Sequence, residues 1–271
     1  MPTVVRLRSA VCLLDRFPAL AGVDLDVAAG EIVLLSGANG AGKTTLLRLL
    51  AGLIPLYSGE AVVLDHDLAR DRRGARRDLA LVGHETFCYD DLTVQENLRF
   101  AARAAGCDTT TADAALERVG LVGARDVVHR RLSAGQRRRL ALAVAWSRDP
   151  RLLLLDEPHA GLDAEGRAVL DEIVRAAPAE GRTVLIASHE LDRVRALADR
   201  EVVLTAGQAA LPATDAAPPD ADAASGAPEA QSELASEGVP AAGVSPAATS
   251  ERVVGSAAGV SPAATSERVI H

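Results

Sequence analysis

The order of apolar and polar residues along the chain predicts strands that alternate with amphipathic helices. Short apolar runs predict strands at Glu31–Gly37, Ala61–Leu64, Leu79–Val82, Arg151–Asp156, Thr183–Ala187 and Glu201–Thr205. Helical spacing predicts helices at Lys43–Leu50, Thr93–Ala105, Ala134–Trp146, Gly166–Ala176 and Glu190–Ala198. Thr93, followed three residues later by Glu96, adds a capping-box pattern at the start of one helix. This alternation is typical of an α/β domain with a mainly parallel sheet, whose functional loops lie at the carboxyl ends of its strands.

The residues after about position 210 have a different composition. Residues 211–271 are rich in Ala, Pro, Ser, Gly and acids, and eight acidic residues against two arginines give them a net charge of −6, out of −8 for the chain. With so few large apolar groups the segment cannot offset the entropy of ordering, so we expect a folded domain at 1–210 and a disordered tail at 211–271. The tail contains a duplication, since Ala241–Val253 recurs at Ala257–Val269.

Composition also bears on where the chain works. No apolar run is long enough to cross a bilayer, and the N-terminus has Arg6 and Arg8 but no apolar stretch behind them. The three cysteines are widely spaced, which favours unpaired thiols in a reducing cytoplasm over a disulfide framework or a metal site. The sequence therefore predicts a cytoplasmic protein.

The strongest chemical signal is GANGAGKTT, directly after a predicted strand and at the start of a predicted helix. It fits the pattern G-x-x-x-x-G-K-[ST], in which backbone N–H groups and a helix N-terminus surround phosphate oxygens. Lys43, the only lysine among 29 basic residues, is expected to supply a positive charge to the phosphates, and the Thr44 hydroxyl can ligate Mg²⁺. The expected nucleotide-binding residues here are Gly37, Ala38, Asn39, Gly40, Ala41, Gly42, Lys43, Thr44 and Thr45.

A second signal is LLLLDEP at Leu152–Pro158. Its leucines predict a strand buried on both faces that delivers two carboxylates at its end. Asp156 is placed to hold Mg²⁺, and Glu157 is placed to act as a general base on the attacking water. An acidic strand end alone is commonplace, but together with the phosphate loop it predicts ATP and Mg²⁺ as cofactors of an ATP hydrolase.

Between these segments lies LSAGQRRRLALA at Leu132–Ala143, which resembles the signature of ABC ATPases, with Ala134 in place of a glycine. The resemblance covers residues 4–205. It implies a P-loop NTPase fold with a mainly parallel sheet, an antiparallel β part and a helical signature subdomain. It also implies a head-to-tail dimer, in which Ser133, Gly135 and Gln136 face ATP bound to a second copy, and a separate membrane permease that binds the dimer.

Further segments resemble motifs of the family and follow one another in the same order as in the family. GLD at Gly161–Asp163 resembles the D-loop, and His189 stands where the family has its switch histidine. Glu85 occupies the position of the Q-loop glutamine, so a carboxylate replaces an amide there. The aromatic residue that stacks on adenine falls at about Leu14; Phe17 is close enough to substitute, or it is a core residue. The resemblance therefore gives Glu157, His189 and Glu85 as catalytic residues.

Five arginines from Arg70 to Arg77 are one pattern seen in nucleic-acid or anionic-lipid surfaces. The net charge of −2 left for residues 1–210 and the 2% aromatic content favour a solvated loop instead, and no nucleic-acid partner is expected.

A short aromatic segment follows Glu85. It contains Phe87, Cys88 and Tyr89, and its two aromatic rings make it a hypothetical docking site for the permease.

The function classes can be ranked from the same motifs. The chromosome-maintenance and ribosome-acting ABC ATPases need a long coiled coil or a second ATPase unit, and the excision-repair type needs zinc cysteines; the chain has none of these. A transporter ATPase, peripheral on the inner face of the cell membrane, is therefore expected. Gly83–Glu85 and the LSAGQRRR signature resemble the haem exporter ATPase of cytochrome c maturation, whereas His159–Asp163 and Ala187–Glu190 are closer to multidrug or lipid efflux pumps.

Overall fold

The structure, a computed structural model, describes residues 2–83 and 87–210 of the 271-residue chain. Within these residues the chain forms two β-sheets and a set of α-helices. The strands are β1 (Thr3–Leu14), β2 (Phe17–Ala28), β3 (Ile32–Ser36), β4 (Ser58–Val63), β5 (His66–Asp67), β6 (Leu79–Val82), β7 (Leu152–Asp156), β8 (Thr183–Ala187), β9 (Arg200–Thr205) and β10 (Gln208–Ala210). The helices are α1 (Lys43–Leu50), α2 (Val94–Ala104), α3 (Thr110–Arg118), α4 (Ala134–Ser147), α5 (Ala164–Ala176) and α6 (Leu191–Arg195). Glu85 and the predicted tail at 211–271 lie outside the described residues.

The larger sheet has the strand order β10-β9-β3-β8-β7-β6. Strands β9, β3, β8, β7 and β6 run parallel, and β10 pairs antiparallel with β9. β3, β7 and β8 are buried at every position, as expected for apolar strands covered on both faces. The mainly parallel sheet predicted from the sequence is confirmed, and the carboxyl ends of β3, β7 and β8 carry the loops of the candidate site.

The second sheet is antiparallel, with the order β2-β1-β4-β5. In β2 the buried side chains of Val23, Leu25 and Val27 alternate with the exposed side chains of Asp24 and Asp26. This alternation gives the strand one apolar face for the core and one polar face for solvent. β1 and β2 were not among the strands predicted from the apolar runs, because their pattern is alternating rather than continuous.

Helices α2, α3 and α4 pack against each other and share a hydrophobic core with one face of the larger sheet. The capping box predicted at Thr93 is confirmed: its Oγ1 accepts from the Glu96 N–H at 3.2 Å, and its own N–H donates to Glu96 Oε2 at 2.8 Å. α3 was not predicted, since its apolar face consists mainly of alanine and carries a weak periodic signal.

The last helix, α6, is shorter than the predicted segment Glu190–Ala198. The Val194 carbonyl accepts from both the Leu197 N–H at 3.0 Å and the Ala198 N–H at 2.9 Å, a shared acceptor of the kind common at helix ends. The turn lets the chain enter β9 beside β3. Among residues 2–83 and 87–210, no helix is both long enough and apolar enough to cross a membrane.

Candidate active site

The phosphate loop lies between the end of β3 and the start of α1. Gly37 and Gly42 have φ angles of +135° and +104°, which L side chains rarely adopt. A Cβ on Gly37 would lie 2.2 Å from the Leu204 carbonyl oxygen, and one on Gly42 would lie 2.7 Å from that of Ala19. The neighbouring strands therefore approach the loop too closely for any residue but glycine at these two positions.

Lys43 is the first residue of α1, and its side chain folds over the loop. Its Nζ donates to the carbonyl oxygens of Gly37 at 2.7 Å and Ala38 at 3.1 Å. These contacts place the ammonium group beside the loop backbone at the positive end of α1. The predicted phosphate-binding lysine thus lies against the loop that is expected to hold the phosphates.

The loop and the end of β7 meet through Thr44 and Asp156. The Thr44 hydroxyl donates to Asp156 Oδ2 at 2.9 Å, and Asp156 is buried. A hydroxyl and a carboxylate in contact are the hard oxygen donors that Mg²⁺ prefers. The two residues expected to be metal ligands are therefore brought together from positions far apart in sequence.

Glu157 follows Asp156 in an unusual backbone conformation, with φ of +48°. Its N–H donates to the Ala187 carbonyl at 2.8 Å, which ties it to the neighbouring strand β8. Its carboxylate contacts His189, whose Nδ1 lies 2.7 Å from Oε2 and whose N–H donates to the same oxygen at 3.2 Å. The parallel pairing of β7 with β8 thus places the candidate base beside the candidate switch histidine.

A cleft of about 360 Å³ lies between the phosphate loop and the end of β7. Its lining residues are Leu14, Ala19, Asn39, Gly40, Gly42, Lys43, Thr44, Thr45, Asp156 and Glu157. Leu14, at the position expected for adenine contact, lines the cleft. Phe17 pairs with Leu14 across the β1–β2 hairpin and is 79% exposed, so the alternative that it is a core residue is wrong.

The signature residues form the start of α4. Ser133 Oγ accepts from the Gln136 N–H at 3.2 Å, and Gln136 Oε1 accepts from the Ser133 N–H at 3.0 Å. A Cβ on Gly135 would lie 3.7 Å from the Gly161 carbonyl oxygen, so the signature and the GLD segment are neighbours. Ser133, Gly135 and Gln136 are not among the described residues that line the cleft around Lys43.

A buried polar network beside the GLD segment was not predicted from the sequence. His159 Nε2 lies 2.9 Å from Asp171 Oδ1, and Arg193 Nη2 lies 2.9 Å from Asp171 Oδ2. The network joins the segment after Glu157 to α6, which follows His189. The polar character of Asp171 within an amphipathic helix gives no sign of its burial.

Arg138 is a second buried residue that sequence reasoning missed. Within RRR it reads as one of several solvated arginines, yet it is 8% exposed and its guanidinium donates to backbone carbonyls at the ends of β6 and β7. Burial lowers the pKa of Arg138, and the nearby carboxylates of Asp156 and Glu157 oppose that shift. The guanidinium remains charged, as arginine does in proteins.

The arginine cluster between Arg70 and Arg77 is only partly a solvated face. Arg70, Arg73 and Arg77 are exposed, as predicted. Arg76 is half-buried and donates to the carbonyl oxygens of Ala51 at 3.3 Å and Gly52 at 2.6 Å. Its guanidinium donors satisfy backbone carbonyl groups at the carboxyl end of α1, so this side chain has a structural role.

Comparison with known proteins settles the family. The family model described as ABC transporter matches residues 20–160. Over 208 residues the chain is 38% identical to the cytochrome c biogenesis ATP-binding export protein CcmA 1 of Salmonella paratyphi A, an alignment that covers 77% of this chain and 100% of that protein. The chain belongs to the ABC transporter family. It is an ATP-binding and ATP-hydrolysing ABC ATPase, as the motifs predicted.

Two further relatives of this ABC ATPase differ in how much of their length it spans. It is 37% identical over 195 residues to the phospholipid-transporting ATPase ABCA7 of Homo sapiens, but the alignment covers 70% of this chain and only 9% of that protein. A solved structure described as the ATP binding subunit of an ABC transporter has a TM-score of 0.71 at 27% identity, covering 76% of this chain and 88% of that chain. The P-loop NTPase fold, with its antiparallel part and helical group, is thereby confirmed.

Proposed function

We propose that the chain binds ATP together with Mg²⁺ in the cleft around Lys43. The contact between the Thr44 hydroxyl and the Asp156 carboxylate supports this, because it offers two oxygen ligands suited to Mg²⁺. A bound Mg²⁺ would supply positive charge that stabilises the transferring phosphoryl group. Lys43 and the loop N–H groups would hold the phosphates, and Leu14 or Phe17 would contact the adenine.

Glu157 is the proposed general base and His189 its partner at the γ-phosphate. Supporting this, one oxygen of Glu157 contacts both the ring Nδ1 and the backbone N–H of His189, which orients the carboxylate at the edge of the cleft. Glu85, the third catalytic residue expected from the resemblance, lies outside the described residues, and its role rests on sequence position alone.

The proposed active assembly is a head-to-tail dimer formed with ATP. Ser133, Gly135 and Gln136 are absent from the described lining of their own chain's cleft, and Ser133 and Ala134 are exposed. The N-terminus of α4 carries a positive dipole end suited to a phosphate of a second copy. The signature would therefore complete the nucleotide site of the partner rather than its own.

A separate integral-membrane permease is the proposed binding partner, which would place the chain peripherally on the inner face of the cell membrane. Supporting this, an apolar groove of about 230 Å³ is lined by residues of β6 and α4 together with Phe87. Phe87 and Tyr89 are 70% and 53% exposed, so the alternative that Phe87 belongs to the core is wrong. Exposed aromatic side chains are enriched in protein interfaces.

The proposed cellular role is the ATPase of the exporter of cytochrome c biogenesis, the haem exporter suggested by the sequence. The observation that carries it is the alignment with CcmA 1, which spans the whole of that protein. The test is complementation of a bacterium that lacks its own cytochrome c biogenesis ATPase. Covalently haem-bound cytochrome c should return with the unaltered chain and not with Lys43→Ala; no restoration by a chain that hydrolyses ATP normally would reject this role.

A lipid or multidrug efflux pump is the second candidate. It is favoured by the similarity to a phospholipid-transporting ATPase, although that alignment spans 9% of the relative. In the complementation strain this candidate predicts ATP hydrolysis without any return of cytochrome c. No observation favours a soluble ABC ATPase acting on DNA or ribosomes, and the absence of a nucleic-acid partner stays a prediction.

A further inference from the structure

The guanidinium of Arg138 contacts the backbone where two neighbouring strands end. Its Nη2 donates to the carbonyl oxygens of Asp156 at 3.1 Å and Glu157 at 2.8 Å. Its Nε donates to the Pro158 carbonyl at 3.4 Å, and its Nη1 donates to the Gly83 carbonyl. One side chain from the second turn of α4 therefore holds the segment that carries the candidate base.

The buried guanidinium of Arg138 forms no ion pair among residues 2–83 and 87–210. Burying a charge is costly unless hydrogen bonds or an opposite charge compensate it. Its neighbours on α4 behave differently. Arg139 donates to the Val119 carbonyl, and Arg137 is half-buried with no side-chain hydrogen bond in the described part of the chain. Arg138 therefore differs from the two arginines beside it, because its guanidinium donates to several backbone carbonyls at the ends of β6 and β7.

The backbone of Glu157 is fixed from both sides. Its N–H is held by Ala187 in β8, and its carbonyl is held by Arg138 in α4. Its φ of +48° lies in the left-handed region, which a glutamate adopts only when the surroundings enforce it. This conformation sets the direction in which the Glu157 side chain leaves the backbone, and hence its approach to the cleft and to His189.

We propose that Arg138 is a positioning residue for ATP hydrolysis: its fork of donors holds the backbone of Glu157 so that the carboxylate is aimed at the attacking water. The proposal rests on the proposed role of Glu157 as general base. Because α4 begins with the signature, the same side chain also ties Ser133 and Gln136 to the hydrolytic site of their own chain.

A lysine at this position would keep the charge and lose the planar fork, since its donors radiate from a single nitrogen. Arg138→Lys should therefore let Glu157 shift while leaving Lys43 and Thr44 in place. A misplacement of about 1 Å can cost about 10²-fold in rate. We expect kcat to fall between about 10-fold and 10²-fold, with KM for ATP unchanged within about 2-fold.

The test is a double-mutant cycle in the full chain, with single-turnover ATP hydrolysis measured for the unaltered protein, Arg138→Lys, Glu157→Gln and the double variant. If Arg138 acts through Glu157, its substitution lowers the rate in the unaltered background and has little further effect once the carboxylate is gone. Arg137→Lys, an adjacent change of the same chemistry, is the matched control and should leave the rate unchanged.

Each outcome decides the proposal. Normal turnover of Arg138→Lys overturns it, and so does an equal loss with and without the Glu157 carboxylate. If Arg138→Lys fails to fold, the cycle is repeated with Arg138→Gln, and failure of both to fold shows that Arg138 stabilises the core instead. Normal turnover of Glu157→Gln alone would instead refute the general-base assignment. That variant leaves Arg138 unchanged, so the two failures can be told apart.

Discussion

His189 contacts the Glu157 carboxylate through two separate nitrogen atoms. The imidazole Nδ1 lies 2.7 Å from Oε2, and the His189 N–H donates to the same oxygen at 3.2 Å. The contact depends on register, because β7 and β8 pair in parallel with Asp156 opposite Ala187, so the residues that follow them emerge side by side. Glu157 is 19% exposed in its side chain and His189 is 68% exposed, so the histidine forms the solvent side of the pair.

The first prediction concerns this pair. His189→Ala should lower kcat for ATP hydrolysis by about 10²-fold, the usual cost of one positioned donor in an active site. KM should change little, since the phosphate loop is untouched. Steady-state phosphate release is the measurement, and His66→Ala is the control because, among the described residues, the only ion-pair partner of His66 is Asp71 at the surface. Equal losses in the two variants would contradict a specific role for His189.

The second prediction concerns the capping box of α2. Thr93→Ala removes the hydroxyl that accepts from the Glu96 N–H and should lower the free energy of unfolding by about 1 kcal/mol. Thr109→Ala is a matched control, because Thr109 precedes α3 and makes no side-chain capping hydrogen bond with the part of the chain that the structure describes. Urea denaturation of both variants measures the difference. A control as destabilised as Thr93→Ala would show that the capping contact contributes nothing of its own.

The third prediction concerns permease docking at Tyr89. The Tyr89 ring packs edge-on against Phe100, with centroids 5.0 Å apart, and its backbone is held on both sides by the buried Asn97 amide. Tyr89→Asp should place a charge on an exposed apolar surface without disturbing that backbone. Co-purification with the co-expressed permease should fall, while the dissociation constant for ATP stays unchanged.

The chain offers a matched control for the docking test. Tyr57 is 69% exposed and lies next to the antiparallel sheet, so Tyr57→Asp introduces the same charge elsewhere on the surface. We expect the permease to co-purify with Tyr57→Asp to the same extent as with the unaltered chain. The docking hypothesis is wrong if ATP affinity falls in Tyr89→Asp while co-purification does not.

Local sequence patterns were enough to locate the phosphate loop, the acidic strand end and the Thr93 cap. Lys43 begins α1 as predicted, and Ser133 and Thr93 cap α4 and α2 through side chains within their own first turns. These features depend on residues close together in the chain, so their spacing carries the information. The carboxyl ends of parallel strands then meet by a general rule of sheet topology, which explains why Thr44 and Asp156 are in contact.

The contacts of Arg138, Asp171 and Arg193 could not be predicted in this way. Each is a polar residue in a helix with other polar residues beside it, and sequence alone favours a solvated position for it. Their burial follows from how the helices pack on the sheet, and their partners lie on other elements. A long-range polar network of this kind leaves no periodic signal in the sequence.

The fourth prediction is that Glu157→Gln slows hydrolysis without preventing ATP binding. The amide is nearly the same size as the carboxylate but cannot accept a proton, so the rate should fall by about 10²–10⁴-fold, as expected for the loss of a general base. Thr44, Asp156 and Lys43 are unchanged, so the affinity for ATP with Mg²⁺ should be retained. The signature of a second copy should then close over ATP that persists, which shifts the population towards the dimer.

Size-exclusion chromatography of Glu157→Gln with ATP and Mg²⁺, run beside an assay of its turnover, tests the account most directly. We predict that the variant elutes as a dimer with ATP and as a monomer without nucleotide, and that its turnover is nearly lost. Glu157→Gln combined with Lys43→Ala should stay monomeric, which would show that the dimer depends on ATP bound at the phosphate loop. A Glu157→Gln variant that hydrolyses ATP at the normal rate, or one that binds ATP and stays monomeric, would contradict the account.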